Sequence, residues 1–312
     1  MDTGITNSRL ESPTGATLNL YSLAARGTPR GVVQINHGLA EHAARYGRFM
    51  QALAQAGFHS YAHDHRGHGE TVAPDAPPGR FAREDGAARV IADVKAVHDH
   101  IATVHPGLPV IAFGHSMGGL IAMNYAFAHA DGLKGLAVWN ANFSAGLLGR
   151  LAQGLIAWEK FRLGSDAPSR LLPKLTFQDW AKKVPQARTA FDWLSRDAAE
   201  VDKYVADPLC GWDASVSMWR DVFELIFAGA DDANLKAMPH SLPINLVGGE
   251  KDPATDGGKA VTHLHGRLAR LDFLDLTCTI LPSTRHESLN ETNRDETTAG
   301  FITWASQVCG VV

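Results

Sequence analysis

Apolar and polar positions along this chain follow two rhythms, and the rhythms take turns. Runs of strand length at 17–23 and 31–36 (Gly-Val-Val-Gln-Ile-Asn) precede a stretch at 45–56 with a different spacing. There Tyr46, Phe49, Met50, Leu53 and Ala54 recur with the 3.6-residue period of a helix, and Gly57 follows as a C-terminal cap. Residues 58–63 read as a strand, and 86–104 as a helix with Val90, Val94, Val97 and Ile101 on one stripe. A continuous apolar strand at 109–114, a helix at 117–130 and a strand at 134–140 come next. Strands alternating with helices imply an α/β fold, a mostly parallel central sheet flanked by helices on both faces.

The alternation breaks at 141 and resumes at 242. Between these points helical patterns follow one another without a strand. Leu147, Leu148, Leu151, Leu155, Trp158 and Phe161 make one apolar stripe, and 216–227 carries another. Five of the seven tryptophans fall here: Trp158, Trp180, Trp193, Trp212 and Trp219. Afterwards 242–247 reads as a strand, 257–270 as a helix, 274–281 as a strand and 294–308 as a terminal helix. The expected organisation is one α/β core, residues 1–140 and 241–312, interrupted by a helical cap at 141–240.

Composition narrows the class. With 312 residues, 45% hydrophobic, 20% charged and 3 Cys, the chain is unlike collagen, a disulfide scaffold or a disordered segment. A net charge of −4 without a basic block argues against nucleic acid or an anionic bilayer as an electrostatic partner. The opening residues lack the apolar core of a secretion signal, and no uncharged apolar run reaches the roughly 18–20 residues of a membrane span. Cys210, Cys278 and Cys309 are scattered and odd in number, so they read as buried apolar fillers in a reducing compartment. A cytoplasmic enzyme is the expectation. No pattern sets an oligomeric state. Histidine is the unusual count: 15 in all, six of them between 37 and 68.

The chemistry centres on Gly114-His115-Ser116-Met117-Gly118, which ends an apolar strand and opens a helix. A serine at such a turn projects its hydroxyl away from the sheet, and the flanking glycines spare the backbone a collision. A serine hydroxyl needs a base oriented by an acid. In this strand–turn–helix setting the acid and then the histidine are expected late in the chain, on loops at strand ends. His286 follows the last strand. Asp252 follows the strand before it, with Glu250 and Asp256 as near alternatives for the acid. The developing oxyanion needs N–H donors: Met117 supplies one, and Leu39 the other, in the His37-Gly38-Leu39 turn where Gly38 permits close approach.

The sequence resembles the monoglyceride lipase and lysophospholipase branch of the α/β-hydrolases, the serine aminopeptidase-like group. The resemblance rests on six blocks in order: His37-Gly-Leu-Ala-Glu-His-Ala-Ala-Arg-Tyr46, Ala62-His-Asp-His-Arg-Gly-His-Gly69, Gly114-His-Ser-Met-Gly-Gly119, Asp207-Pro-Leu-Cys-Gly211, Gly248-Gly-Glu-Lys-Asp-Pro253 and Arg285-His-Glu-Ser-Leu-Asn-Glu291. It implies an α/β-hydrolase fold, a Ser116–Asp252–His286 triad, Leu39 and Met117 as oxyanion donors, and a variable cap over an acyl pocket. The implied activity is hydrolysis of carboxylic esters (monoacylglycerol, lysophospholipid or other acyl and polyester-type substrates) without a cofactor. Dehalogenases and epoxide hydrolases of similar topology need a carboxylate where this chain has Ser116.

Two other readings compete. His63-Asp-His65-Arg-Gly-His68 differs from a dinuclear-metal H-x-H-x-D-H signature only by Gly67 in place of Asp, which would suit a lactone or phosphodiester hydrolase. The missing carboxylate counts against it, and Asp64, Arg66 and Gly69 equally explain the segment as a shaped turn. A non-catalytic ligand-binding protein on the same fold is the other reading, and a complete serine, acid and histidine set speaks against it. In the cap, Phe143 and Trp158 are candidate substrate contacts, and an apolar cap helix suits transient contact with a membrane surface. Glu41, Arg45 and Glu287 are expected either as a polar network near His286 or as ordinary surface ion pairs.

Overall fold

The computed structural model describes residues 4–144 and 146–310, with the side chains of all of these except 146–152. Its strands are β1 (Thr6–Glu11), β2 (Thr17–Leu23), β3 (Gly31–Asn36), β4 (Phe58–His63), β5 (Val110–His115), β6 (Gly135–Trp139), β7 (Ile244–Gly249) and β8 (Leu276–Leu281). They form one sheet in the order β1-β2-β4-β3-β5-β6-β7-β8. From β4 through β8 all pairings are parallel, while β2 is antiparallel to both β1 and β4. The helices of the first half are α1 (Gly47–Gln55), α2 (Gly86–Val104) and α3 (Met117–His129). In 141–240 lie α4 (Gly146–Leu163), α5 (Leu172–Leu175), α6 (Phe177–Lys182), α7 (Ala198–Ala206), α8 (Val216–Ala230) and α9 (Asp232–Ala237), and α10 (Lys259–Arg270) and α11 (Arg294–Val308) complete the chain. This is the α/β-hydrolase architecture.

β3, β5, β6 and β7 are buried at every position because helices cover both faces of the sheet. Alternation along β5 sorts its side chains between two layers. Ile111 and Phe113 pack with Phe49, Met50 and Leu53 of α1 and with Phe301 and Trp304 of α11. Val110 and Ala112 belong to the opposite layer, with Val90, Val94, Val97 and Ile101 of α2 and Leu264 and Leu268 of α10. The stripe read on 86–104 is therefore the core face of α2. β1 goes unforeseen by periodicity, because Thr-Asn-Ser-Arg-Leu-Glu is polar and almost wholly exposed, held at the edge by backbone pairing to β2.

Among the described residues 141–240 contains no strand. Its α8 leans on α2, α3 and α4, bringing Met218, Val222 and Leu225 into the main core layer. Of the apolar stripe expected on α4, its C-terminal part, Trp158 and Phe161, does not face inward. Leu147, Leu148 and Leu151 lie outside the described side chains, Leu155 is half-buried, and Trp158 and Phe161 are 47% and 90% exposed. Ile156 and Glu159 turn inward instead. The buried Glu159 carboxylate accepts from Ser169 Oγ (2.5 Å), Arg170 N–H (2.9 Å) and Leu171 N–H (3.1 Å), which fixes the rotation of the helix. No described helix is long and apolar enough to cross a membrane. All three cysteines are free and half-buried.

The strand order places the site. From β3 the chain crosses to β4 on one side, whereas β5 lies on the other side of β3, so the loops leaving β3 and β5 diverge and open a crevice at their C-terminal ends. Register keeps these ends level: Asn36 stands opposite Gly114, His115 opposite Trp139, and Gly249 opposite Leu281.

Candidate active site

Ser116 sits between the last residue of β5 and the first of α3 with φ 55° and ψ −120°, a strained conformation for a residue with a Cβ. Its N–H donates to Trp139 O (2.8 Å), and its carbonyl accepts from Gly119 and Leu120, which hold the turn. The glycines are sterically required. A Cβ at Gly114 would lie 2.1 Å from Gly118 O, and one at Gly118 would lie 2.0 Å from Asn36 O.

The two late loops bring an acid and a base to this serine. His286 Nε2 is 2.9 Å from Ser116 Oγ, and its Nδ1 is 3.0 Å from Asp252 Oδ1. Of the three acids considered, Asp252 alone faces His286. Glu250 and Asp256 are exposed, Glu250 accepting from Ser283 N–H and Asp256 pairing with Lys259. Asp252 is completely buried and accepts three further hydrogen bonds, from Ala254 N–H, Asn140 Nδ2 and Thr255 Oγ1. Burial alone would raise its pKa; the His286 charge and the converging donors outweigh that and hold it below the usual carboxylate range.

On the other side of Ser116 runs the 37–46 loop. Leu39 lines the pocket beside Ser116, and Met117 opens α3 directly after the serine. Ala40 has φ 55°, and its carbonyl is pinned by Tyr204 OH (2.8 Å) and Gly211 N–H (2.9 Å). His37 donates from Nδ1 to Gly38 O (2.8 Å) and accepts His65 N–H at Nε2 (2.9 Å), which fixes its tautomer. Glu41 Oε1 accepts from Gly38 N–H (2.6 Å) and Tyr46 OH (2.9 Å), while Oε2 accepts from Arg45 (2.5 Å). Arg45 also grips Glu287 through two bonds of 2.6 and 2.7 Å. The polar network therefore exists, and it is buried.

The sequence profile of the family described as serine aminopeptidase, S33, matches residues 27–293. The chain belongs to this family. It is 29% identical over 265 residues to a monoacylglycerol lipase of Mycolicibacterium smegmatis, an alignment covering 84% of this chain and 83% of that one. A monoglyceride lipase of Rattus norvegicus is 28% identical over 244 residues, 74% of this chain and 68% of that one. Among solved structures, a thermostable carboxyl esterase from Bacillus coagulans superposes with a TM-score of 0.89 at 23% identity, covering 98% of this chain and 99% of that one, and shares the fold.

In this S33-family member a narrow pocket opens above Ser116, His286 and the Gly38–Glu41 turn, walled by Phe177, Phe191, Trp193, Leu194 and Tyr204. Its empty space, with the open mouth included, is about 440 Å³. The wall belongs to a separate small apolar cluster of the 141–240 segment. It is anchored to the His286 loop: His286 N–H donates to Trp193 O (3.4 Å) and Glu287 N–H to Leu194 O (2.7 Å). Glu41 borders the pocket, but the other two expected contacts do not. Phe143 is buried against Gly229 of α8, where a Cβ would come within 2.1 Å of its ring. Trp158 lies on the outer face of α4, stacked by Arg162 at 4.6 Å. Phe177, Phe191, Leu194 and Tyr204 escape sequence reasoning; only the Asp207-Pro-Leu-Cys-Gly211 block signals that this stretch meets the core.

The histidine cluster is structural. Asp64 accepts from Asn19 Nδ2, Ala43 N–H and Glu70 N–H, the buried Arg66 pairs with Asp93 at 2.9 Å, and a Cβ at Gly69 would strike Asp64. His63 and His65 are buried ring against ring and His68 against His37 and Trp212, and burial first, then the neighbouring imidazoles, push their pKa values down, His63 to about 3. Among the described residues one set of three potential ligands converges within 4.8 Å, and it is His42, Asp207 and Cys210, not the histidine cluster. There His42 Nε2 hydrogen-bonds Asp207 Oδ2 (2.8 Å) and ties the two segments together. The Arg45 guanidinium nearby opposes a dication at that point.

Proposed function

We propose that this protein is a serine carboxylic ester hydrolase acting on small or lipid-like acyl esters through an acyl-serine intermediate. The observation that carries the reading is the Ser116–His286–Asp252 relay, at 2.9 and 3.0 Å, opening into a pocket. His286, held by Asp252, takes the Ser116 proton as Oγ attacks the ester carbonyl. The N–H groups of Leu39 and Met117 receive the oxyanion. His286 then protonates the departing alcohol, and water activated by the same imidazole releases the acid. These steps draw only on side chains and backbone N–H groups of this chain.

Kinship with monoacylglycerol lipases supports a single-chain acyl ester as substrate. The acyl chain would lie against the Phe177–Phe191–Trp193 wall of the pocket above Ser116. We read 141–240 as a cap inserted in the core, and the protein as cytoplasmic on its three free cysteines. A purely ligand-binding role would leave the charged, fully bonded Asp252 beneath His286 without purpose.

The test is a rate panel of p-nitrophenyl esters of rising length beside monoacylglycerol, lysophospholipid and an aliphatic polyester. Ser116→Ala lowers hydrolysis by at least about 10³-fold. A serine-directed phosphonate abolishes it, and EDTA leaves it intact. Retained activity in Ser116→Ala, or its loss to EDTA, overturns the assignment.

A further inference from the structure

Beneath the oxyanion turn lies a buried group of charges that balances only if one more cation is present. Glu41 and Glu287 are 4% and 5% exposed, and the one guanidinium between them is Arg45. Two carboxylates against one guanidinium leave a net negative charge in a low-dielectric setting, which is costly. Protonating Glu41 is no remedy, because both its oxygens already accept hydrogen bonds: from Gly38 N–H and Tyr46 OH on one, from Arg45 on the other.

The ring beside them is His115, adjacent in sequence to Ser116 and 7% exposed. Its Nε2 is 2.9 Å from the carbonyl oxygen of His286, which can only accept, so Nε2 donates. Its Nδ1 is 3.5 Å from Glu41 Oε1, also an acceptor. A neutral imidazole has one donor and one acceptor nitrogen, and here both nitrogens face acceptors. An imidazolium satisfies both contacts, donating at Nε2 and pairing with the Glu41 carboxylate at Nδ1.

We propose that His115 is held as an imidazolium that completes the Glu41–Arg45–Glu287 cluster, and that this cation positions the oxyanion turn and the His286 loop around Ser116. The inference rests on the serine-hydrolase reading. One ring joins two arms of the site: through Glu41 it reaches the Gly38 N–H beside Leu39, and through the His286 carbonyl it reaches the loop carrying the base. His115 is a positioning residue, since it acts through these neighbours.

The groups facing it come from every side. Glu41, Arg45 and Tyr46 belong to the turn before α1. His286, whose ring centroid lies 4.9 Å away, and Glu287 belong to the loop after β8. His37 reaches it through Glu41, and Tyr204 and Cys210 of the 141–240 segment face Arg45 and Glu287. Burial works against charging His115, but the Glu41 contact and the Glu41 and Glu287 charges outweigh it and raise its pKa above the ordinary histidine value. Loss of that proton sets the alkaline limit of turnover.

The experiment is a ring titration by NMR of [15N]histidine-labelled Ser116→Ala protein, with His115 assigned by its disappearance in Ser116→Ala/His115→Gln. At pH 7 its ring shows two protonated nitrogens. Its midpoint lies above ~6.5, and adding Glu41→Gln lowers it by about one pH unit or more. In the active enzyme kcat falls about tenfold across the midpoint and then levels off. His115→Gln removes this alkaline limb and lowers kcat at pH 7 about tenfold, with KM within about twofold. A neutral ring at pH 7, a midpoint indifferent to Glu41→Gln, or an alkaline limb persisting in His115→Gln overturns the proposal. The titration does not require hydrolysis, so it reads the cluster even if Ser116→Ala retains activity and the parent reading falls.

Discussion

Two buried carboxylates in this molecule have opposite fates. Asp252 meets donors at both oxygens and stays charged. Asp221 of α8 is also fully buried, yet Arg220 serves only its Oδ1, and Oδ2 has no partner among the described residues. Burial, aided by the Glu224 and Asp85 charges, pushes its pKa up to about 6 against the pull of Arg220. A folded-state pKa above the unfolded value of ~3.9 means the folded protein binds the extra proton between these limits. Stability is therefore lost as pH rises from about 4 to about 6 and stays lost above that range. Asp221→Asn, which removes the charge, is expected to stabilise the protein at pH 7–8 by on the order of 2 kcal/mol and by nothing near pH 4. Paired thermal melts across that range check it, and an equal effect at both ends rejects it. Neither fate is legible in sequence: Glu250, Asp252 and Asp256 share one loop and look alike until strand register turns one of them inward. That Ser116 and His286 would be brought together is legible because a serine at a strand-to-helix turn and a histidine after the final strand are local patterns.

At the scale of elements, α4 shows how an apolar stripe misleads. Leucines, Trp158 and Phe161 at helical spacing suggest an inner face, but the buried Glu159 and its three donors set the rotation. A hydrogen-bonded carboxylate leaves no mark in a hydrophobicity pattern. What remains outside is Trp158 and Phe161 flanked by exposed Lys160 and Arg162, the make-up of a helix that rests in a lipid interface. A membrane contact through 141–240, which the sequence leads one to expect, would be made here. Phe161→Asp is expected to reduce co-sedimentation with monoacylglycerol-containing vesicles about tenfold, in line with the roughly 1.5–3 kcal/mol of burying one such side chain. Hydrolysis of a water-soluble ester should be unchanged; undiminished vesicle binding excludes α4 as the contact. Helix α2 and the buried strands, by contrast, read correctly because their burial is two-sided or one-sided in the plain sense that periodicity measures.

At the scale of the molecule, alternating periods suffice for an α/β sheet and for an interruption near 141, since each strand–helix step is local. They do not reveal that α8 joins the main core or that Trp193 and Leu194 lean on the His286 loop, because those contacts are made across long stretches of chain. The same distance has a kinetic consequence. Ser116, Asp252 and His286 leave β5, β7 and β8, and these meet only through an unbroken parallel ladder β5-β6-β7-β8 with 141–240 spanned between β6 and β7. Parallel, non-local pairing is slow to form because loop closure precedes its reward. On the role proposed for Ser116, its reactivity is thus a timestamp on assembly. During refolding from denaturant, helical signal should return first, and labelling by a fluorescent phosphonate should lag it, appearing only when the C-terminal strands have docked. Labelling that keeps pace with helix formation would mean the nucleophile matures before the sheet is complete.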